Sequence, residues 1–403
     1  MTSNFPRWQG DTTTPFVLHL AQDLQALGWQ VDVLAPHAPG CALREQLDGI
    51  DVQRFRYLWP ERLETVCYQG GALINLRKSK ANKLKLPALI GAEWIACAAK
   101  LVTRRYDLLH SHWILPQGFT GVLAAKPLKI PHVVTVHGGD IFGLRGKLLS
   151  SFKRFALRHA DAITVNSSVT RRAVGELVDL TKVEQIPMGV ATDRMPDAEL
   201  VAELRQRYRG DTGPLLVFVG RLVDEKGVED LIRAVALSTK ALPDVRALVV
   251  GEGQDRALFE DLAKQLGVAQ RIAFVGWVEP QRMASYLASA DIFVGPSRRA
   301  RDGWIEAQGL TFIEAMLQEI PVVATRSGGI VDSVEHEQTG LLVDERAPDQ
   351  IAAAVLRLVQ DARLREELSS RAYANALEKF SRQSSAARFS QLFERQIGNA
   401  SAI

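Results

Sequence analysis

Short apolar runs of four to six residues recur along the whole chain, separated by stretches with helical spacing. In the first half these runs are 31–35, 108–112, 132–137, 162–166 and 183–187, and in the second 215–220, 247–251, 272–276, 292–295 and 321–324. Runs so short and so apolar suit strands buried on both faces, the condition of a parallel sheet covered by helices. The intervening segments carry helical periodicity, as at Phe16, Leu20, Leu24 and Leu27 within 15–27. Two such sets predict an α/β chain of two doubly wound, Rossmann-like domains facing across a cleft. In such sheets ligands bind beyond the carboxyl ends of the strands. The 403 residues suffice for two cores of roughly 200 residues each. Both patterns lapse near 188–199, which sets the domains at 1–195 and 196–383. One irregularity stands at the beginning. The chain opens on Thr2-Ser3-Asn4-Phe5, where a first ligand loop is expected, with no apolar strand ahead of it. The expectation is a missing first strand and a native start upstream of Met1.

Charge is nearly balanced overall but not along the chain. Residues 1–195 hold 24 Lys and Arg against 16 Asp and Glu, and the remainder holds 25 against 30. A basic first half points to an acidic partner, such as an anionic membrane surface or a phosphorylated acceptor. Arg77, Lys78, Lys80, Lys83 and Lys85 concentrate this charge, although a solvated face reads the same way. Aromatic residues are not interleaved with these cations, which argues against nucleic acid. The apolar stretch 86–101 is interrupted by Pro87, Gly91, Glu93 and Lys100, so it reads as too short to span a bilayer. Lying on a membrane surface and packing in a core both remain open for it. Cys41, Cys67 and Cys97 are scattered, which fits a reducing cytosol better than a disulfide framework or a zinc site. No signal peptide is expected from the first residues.

Two motifs carry chemistry. Gly220-Arg221 through Lys226-Gly227 follows a strand-like run and precedes helical spacing at 228–237. A glycine turn admits close backbone approach, and the following helix start favours anions. An arginine fork and a lysine point charge five residues apart can both reach a diphosphate. The competing reading is a solvated turn with a salt bridge to Asp224 or Glu225. Glu306 and Glu314 stand eight apart around Gly309, with Glu314 read as the start of a helix. Carboxylates accept well from vicinal diols, so one suits a ribose and the other a sugar. Helix-start carboxylates placed by the macrodipole are the alternative. His110 and His112 share one side of a strand and read as packing or cleft-lining residues rather than a metal site. Arg298, Arg299 and Arg301, before Asp302, read as a surface cluster. The chain has no Asp-x-Asp, the pair that holds a metal on a diphosphate elsewhere, so no metal and no other cofactor is expected.

In order, the chain then shows Val249-Val250-Gly251 with Gly253, Val275-Gly276, Ala290-Asp291, Pro296-Ser297, Glu306 with Glu314-Ala315-Met316, Pro321-Val322-Val323-Ala324, Gly328-Gly329 and Thr339-Gly340-Leu341-Leu342-Val343. Ahead of these come Phe5-Pro6-Arg7, Gly10-Asp11, Gly28-Trp29, His110-Ser111-His112-Trp113 and Thr135-Val136-His137-Gly138-Gly139-Asp140. Taken together the set resembles family 4 of the glycosyltransferases, with the GT-B fold. The resemblance implies a retaining enzyme, a hexosyltransferase, that uses a nucleoside diphosphate sugar, with UDP favoured over GDP. Arg221 and Lys226 would neutralise the donor diphosphate, Glu314 would hold the ribose, and Glu306 would contact the transferred sugar. His137 would stand beside the anomeric centre, backbone around Gly309 and Leu310 would touch the donor, and Gly10 would approach the β-phosphate. A C-terminal helix over about 384–403 would pack back on the first domain. The implied acceptor is a lipid-linked saccharide in surface polysaccharide synthesis. The implied location is the cytoplasm, with peripheral contact at the inner membrane face. The chain departs from the pattern at Gly10-Asp11-Thr12-Thr13, where many relatives carry Gly-Gly and where Asp11 would repel phosphate unless turned away. An epimerase or hydrolase of the same fold, and a donor-binding subunit without transfer, remain alternatives because fold does not fix function.

Overall fold

The computed structural model describes residues 1–11, 15–68, 71–209, 212–301 and 303–401. They form two units, the first made of residues 1–189 with the Arg382–Ser401 helix, the second of Val190–Ser381. The sequence places the boundary at 195, whereas the chain passes between units at 189 and 190. The reason is backbone pairing: the Val190 amide donates to the Phe380 carbonyl at 2.8 Å, and Val190 bridges to Ser381.

The first unit contains two sheets. In one, β1 (Asp32–Pro36) pairs in parallel with β3 (Ile50–Phe55), which pairs antiparallel with β2 (Arg44–Leu47). In the other, β4 (Leu109–His112), β5 (His132–Val136), β6 (Ala162–Val165) and β7 (Val183–Gln185) run parallel in that order. Alternation divides β1 between two clusters. Val33 and Ala35 join Val17, Leu18 and Ala21 of the Pro15–Ala26 helix, and Leu34 joins Leu89, Cys97 and Leu101 of the Leu86–Thr103 helix. This is the period-2 split of a strand covered on both faces. Leu27 lies beyond the end of its helix and is 51% exposed, so it is not a core residue.

The Leu86–Thr103 helix reaches 18 residues, enough by length and composition to cross a membrane. It continues past the interruptions read from the sequence, because Glu93 is accommodated without exposure to water. Gln117 and Thr120 donate to the Glu93 carboxylate at 2.7 and 3.1 Å.

The second unit holds one parallel sheet of six strands: β8 (Leu215–Val219), β9 (Arg246–Val250), β10 (Ile272–Gly276), β11 (Ile292–Gly295), β12 (Val322–Thr325) and β13 (Leu341–Val343). Their spatial order is β10-β9-β8-β11-β12-β13. Leu216 and Phe218 of β8 face Leu231, Val235, Ile351 and Val355, whereas Leu215 and Val217 face Phe312, Met316, Ala372 and Phe380. The order reverses between β8 and β11, which opens a crevice at their carboxyl ends. Three strands, β2, β3 and β13, are additions to those read from the sequence.

The Arg382–Ser401 helix is fastened to the first unit along its length. Arg382 forms an ion pair with Asp23 at 2.7 Å, and the Ser385 hydroxyl donates to the Pro187 carbonyl at 2.8 Å. The Trp29 indole donates to the Ser390 hydroxyl at 2.9 Å, and Phe389 is fully buried with its ring 5.5 Å from His110. Truncating Phe389→Ala should therefore cost about 3–5 kcal/mol in urea unfolding. An unchanged unfolding midpoint would show that this helix contributes nothing to the first core.

Candidate active site

At the switch point of the second unit, β8 ends in Gly220 and leads into Arg221 and the turn Asp224–Lys226. Gly227 follows with φ +69°, and a Cβ there would lie 1.9 Å from the Pro296 carbonyl oxygen beyond β11. Glycine thus lets the loops after β8 and β11 press together. Gly328, beyond β12, has the same task against the Glu306 backbone: a Cβ would meet the Glu306 carbonyl oxygen at 2.1 Å, and the Gly329 amide donates to that oxygen at 2.8 Å. These approaches fix Glu306 so that its carboxylate accepts from the Lys226 ammonium. Burial pushes the Glu306 carboxyl up, but Lys226 and then Arg221 outweigh it and hold the group below the ordinary carboxylate range. Arg221 is half exposed and 3.4 Å from Glu225, so the turn salt bridge read as the alternative does exist alongside a cation open to a ligand.

Glu314 is placed differently from the sequence reading. The helix begins at Leu310, with Gly309 ahead of it at φ +78°, and Glu314 lies within that helix rather than at its start. Glu306 lies outside any helix or strand, so neither carboxylate is a helix-start residue. Burial raises the Glu314 carboxyl, against the pull of Arg194 at 3.8 Å. Glu306, Lys226 and Gly309 are brought together, since a Cβ on Gly309 would sit 3.6 Å from Glu306 Cγ. Leu310 opens the helix and packs against the apolar cluster beneath it.

Arg298 corrects the sequence reading. It is buried, not part of a surface cluster, whereas Arg299 and Arg301 are exposed; Asp302 lies outside the described residues. Its guanidinium contacts Asp224 at 2.6 Å, Glu229 at 3.1 Å and Asp230 at 3.1 Å, and also donates to the Asp224 carbonyl at 3.1 Å. Its amide donates to the Glu225 carbonyl at 2.9 Å. Arg298 therefore staples the turn that carries Lys226. The only signal in the sequence was the acidic set Asp224, Glu229 and Asp230, which nothing local ties to position 298.

In the first unit, β5 ends at Val136 and His137 begins the following turn. Asp140 accepts from the His137 and Gly138 amides at 3.3 and 3.1 Å and from the Ile114 amide at 2.8 Å, so it organises this turn. His137 Nε2 lies 2.9 Å from His112 Nδ1, and the ring packs on Phe16 and Trp113. Burial lowers His137 to about 3, which keeps it a neutral imidazole. His112 takes part in this cluster, while His110 packs on Phe389 and Phe393. Gly10 lies in the loop ahead of the Pro15–Ala26 helix, in open surroundings. The Asp11 carboxylate is turned onto Arg7, accepting from its amide at 2.9 Å and its guanidinium at 2.7 Å. Thr12 and Thr13 lie outside the described residues.

Two outcomes follow. Arg298→Met would leave Asp230 buried without its cation and should destabilise the second unit by roughly 3 kcal/mol, read by urea unfolding; an unchanged midpoint contradicts the staple. The second outcome concerns pH. Burial lowers His110, His112, His132 and His137 from the ordinary 6.5. The unfolded chain then binds more protons below that pH, so stability falls as pH drops through it. Glu93, pushed up to about 7 by burial, works in the opposite sense, as do Glu314, Asp140 and Asp230 from lower ordinary values, while the Met1 amine, lowered to about 6, adds to the imidazoles. The melting temperature should fall between about pH 7 and about pH 5.5, and less steeply in His137→Asn. A flat or rising profile would contradict the buried neutral imidazoles.

Comparison with known proteins agrees with this geometry. The family described as "Glycosyl transferases group 1" matches residues 202–375, and "Glycosyl transferase 4-like domain" matches residues 12–189. The chain is 37% identical over 204 residues to a GDP-mannose-dependent alpha-(1-6)-phosphatidylinositol monomannoside mannosyltransferase of Mycobacterium tuberculosis, spanning 50% of this chain and 53% of that protein, about half of each. It is 30% identical over 333 residues to a D-inositol 3-phosphate glycosyltransferase of Corynebacterium jeikeium, covering 77% of both. Among solved structures, sucrose-phosphate synthase from Thermosynechococcus elongatus superposes with a TM-score of 0.75 at 24% identity, over 95% of this chain and 93% of that one. By its two domains and its relatives, the chain belongs to family 4 of the glycosyltransferases, with the GT-B fold.

Proposed function

We propose that this protein transfers a sugar, with retention of anomeric configuration, from a nucleoside diphosphate donor to an acceptor hydroxyl. The observation that carries the reading is the pairing of Lys226 with Glu306 at the β8/β11 switch point, with Arg221 in the same loop. A diphosphate can take Lys226 from Glu306, because it brings more negative charge than one carboxylate. Glu306 is then released to accept from sugar hydroxyls, while Glu314 accepts from the ribose. As the bond from the anomeric carbon to the β-phosphate oxygen lengthens, charge grows on that oxygen and the two cations stabilise it. The acceptor hydroxyl attacks from the same face and gives its proton to the departing phosphate oxygen. His137 enters as a neutral hydrogen-bonding group, with Nδ1 left for sugar or acceptor, and the open loop at Gly10 is reserved for the β-phosphate. Backbone at Gly309 and Leu310 adds donor contacts. No metal is required in this scheme, since Arg221 and Lys226 supply the positive charge.

The acceptor we favour is a lipid-linked saccharide on the cytoplasmic face of a membrane, in polysaccharide synthesis. Support comes from the exposed Arg77, Lys78, Lys80 and Lys83 beside Leu84, which is 84% exposed. Such a surface suits peripheral contact with anionic lipid. The mycobacterial relative is named for GDP-mannose, so that donor is set against UDP-sugars in one assay.

Lys226→Ala and Arg221→Ala should each lower turnover by about 10²-fold; the half-exposed Arg221 should leave the unfolding midpoint unchanged, whereas Lys226→Ala leaves Glu306 without its cation and should lower it. Glu314→Ala should mainly weaken donor affinity, and EDTA should leave turnover unchanged. Turnover at the wild-type level in either cation variant would remove the diphosphate assignment. Stoichiometric free sugar or an epimer in the absence of acceptor would replace transfer with hydrolysis or epimerisation.

A further inference from the structure

The loop ahead of the Pro15–Ala26 helix presents a side chain that is supported from beneath and bare above. Trp8 is 47% exposed, whereas Phe5 and Pro6, which lead into it, are buried. A turn sets its backbone: the Asp11 amide donates to the Trp8 carbonyl at 3.1 Å, and Gly10 stands third in that turn at φ +83°. A positive φ at that place calls for glycine. The Arg7 guanidinium lies 4.2 Å from the centroid of the indole and 5.8 Å from that of the Tyr68 ring, so it links an exposed aromatic side chain to a buried one. The Tyr68 hydroxyl donates to the carbonyl of Pro36, the last residue of β1, at 2.8 Å and accepts from Arg54 of β3 at 3.1 Å. Arg54 is itself buried, and it donates to the Pro6 carbonyl at 2.7 Å and to Glu45 at 2.8 Å.

These contacts restrain a ring that water alone would leave free to turn. A rigid indole offers a large contact area with little side-chain freedom left to lose, which is what a binding platform requires. Its surroundings decide what it suits. Arg7 is the one cationic side chain within residues 2–11, and it is paired with Asp11 at 2.7 Å, so the loop brings no further cation for a phosphate or a carboxylate. The electron-rich face of an indole attracts the weakly positive C–H groups that line one side of a sugar ring. Through Pro6 and Tyr68 the loop is also tied to the carboxyl ends of the parallel strands β1 and β3, the end at which such sheets bind ligands. The nucleotide is assigned to Arg221, Lys226 and Glu314 of the second unit, which leaves a ring of the acceptor for the first.

We propose that Trp8 is the stacking platform for an uncharged sugar ring of the acceptor, held from beneath by Arg7. The argument stands on the exposed indole, the turn that fixes its backbone, and the chain of contacts through Arg7, Tyr68 and Arg54 to the ends of β1 and β3. It rests on the reading of the protein as a transferase with a saccharide acceptor, and it is independent of the base of the donor and of anomeric retention. Stacking on one face of a ring leaves the hydroxyls at its rim free, so the platform orients the acceptor without blocking the group that reacts.

Saturation-transfer NMR with methyl α-glucoside, methyl α-mannoside and methyl α-galactoside, each alone and with UDP or GDP present, reads the contact directly. At least one glycoside should receive saturation at its ring C–H protons. Trp8→Ala should weaken its binding by about ten-fold, and Trp8→Phe should keep most of it. Binding of UDP or GDP, followed by thermal shift, should be the same in the wild-type chain and in Trp8→Ala, as should the unfolding midpoint without ligand. Absence of ring contact for every glycoside in the wild-type chain overturns the proposal, and so does equal contact in Trp8→Ala. A parallel loss of nucleotide binding in Trp8→Ala overturns it as well, since the indole would then serve the donor. A wild-type chain that binds neither nucleotide counts against the proposed reaction instead, and the glycoside arm still decides the role of Trp8.

Discussion

The pairing of Lys226 with Glu306 is the interaction around which the second unit is arranged. Both groups are largely removed from water, so neither charge would be tolerated there alone. Their meeting requires three loops, beyond β8, β11 and β12, to approach more closely than any side chain allows. Gly227 and Gly328 provide the room, and Arg298 holds the turn from below through Asp224, Glu229 and Asp230. The site is thus built before any ligand arrives, at a cost met by folding rather than by binding. In its resting form it is also self-neutralised. Under the proposed function, a weak monovalent anion would gain little by displacing a carboxylate already in contact, whereas a diphosphate would gain two cations at once. On that reading the pair would filter ligands by charge as well as by shape.

What the sequence made legible follows from the same physics. Strands covered on both faces must be apolar throughout, so β1, β4 to β6 and β8 to β12 appear as short apolar runs with nearly their observed bounds. The polar Arg44–Leu47 strand and its alternating partner Ile50–Phe55 are covered less completely, and β13 is only three residues long. None of these gives a run that stands apart from its surroundings. The family motifs made Arg221, Lys226, Glu306 and Glu314 visible, because their spacing is set by the loops themselves. Arg298 was not visible, since three nearby arginines look like a solvated patch. Only the fold brings position 298 against acids about seventy residues earlier, as its distances to Asp224 and Asp230 record. Glu314 sits inside its helix for a local reason: Gly309 takes a left-handed backbone and the helix begins at the next residue, four ahead of Glu314.

The candidate residues of the two units differ in charge. In the first, imidazoles are packed on one another and on aromatic rings, and burial holds His112 and His137 neutral. A neutral ring can orient a hydroxyl but cannot stabilise a leaving diphosphate. In the second, Lys226 and Arg221 both act on one carboxylate, and no histidine is needed. Under the proposed function, where departure of a phosphate is the hard step, the easing charge is that of Lys226 and Arg221. On the same reading His137 would serve in positioning, for which an uncharged imidazole is suited: it offers a hydrogen-bonding atom without adding charge. The same desolvation makes those imidazoles a liability toward acid, so the feature that fits the first unit for positioning also limits the pH range over which it stays folded.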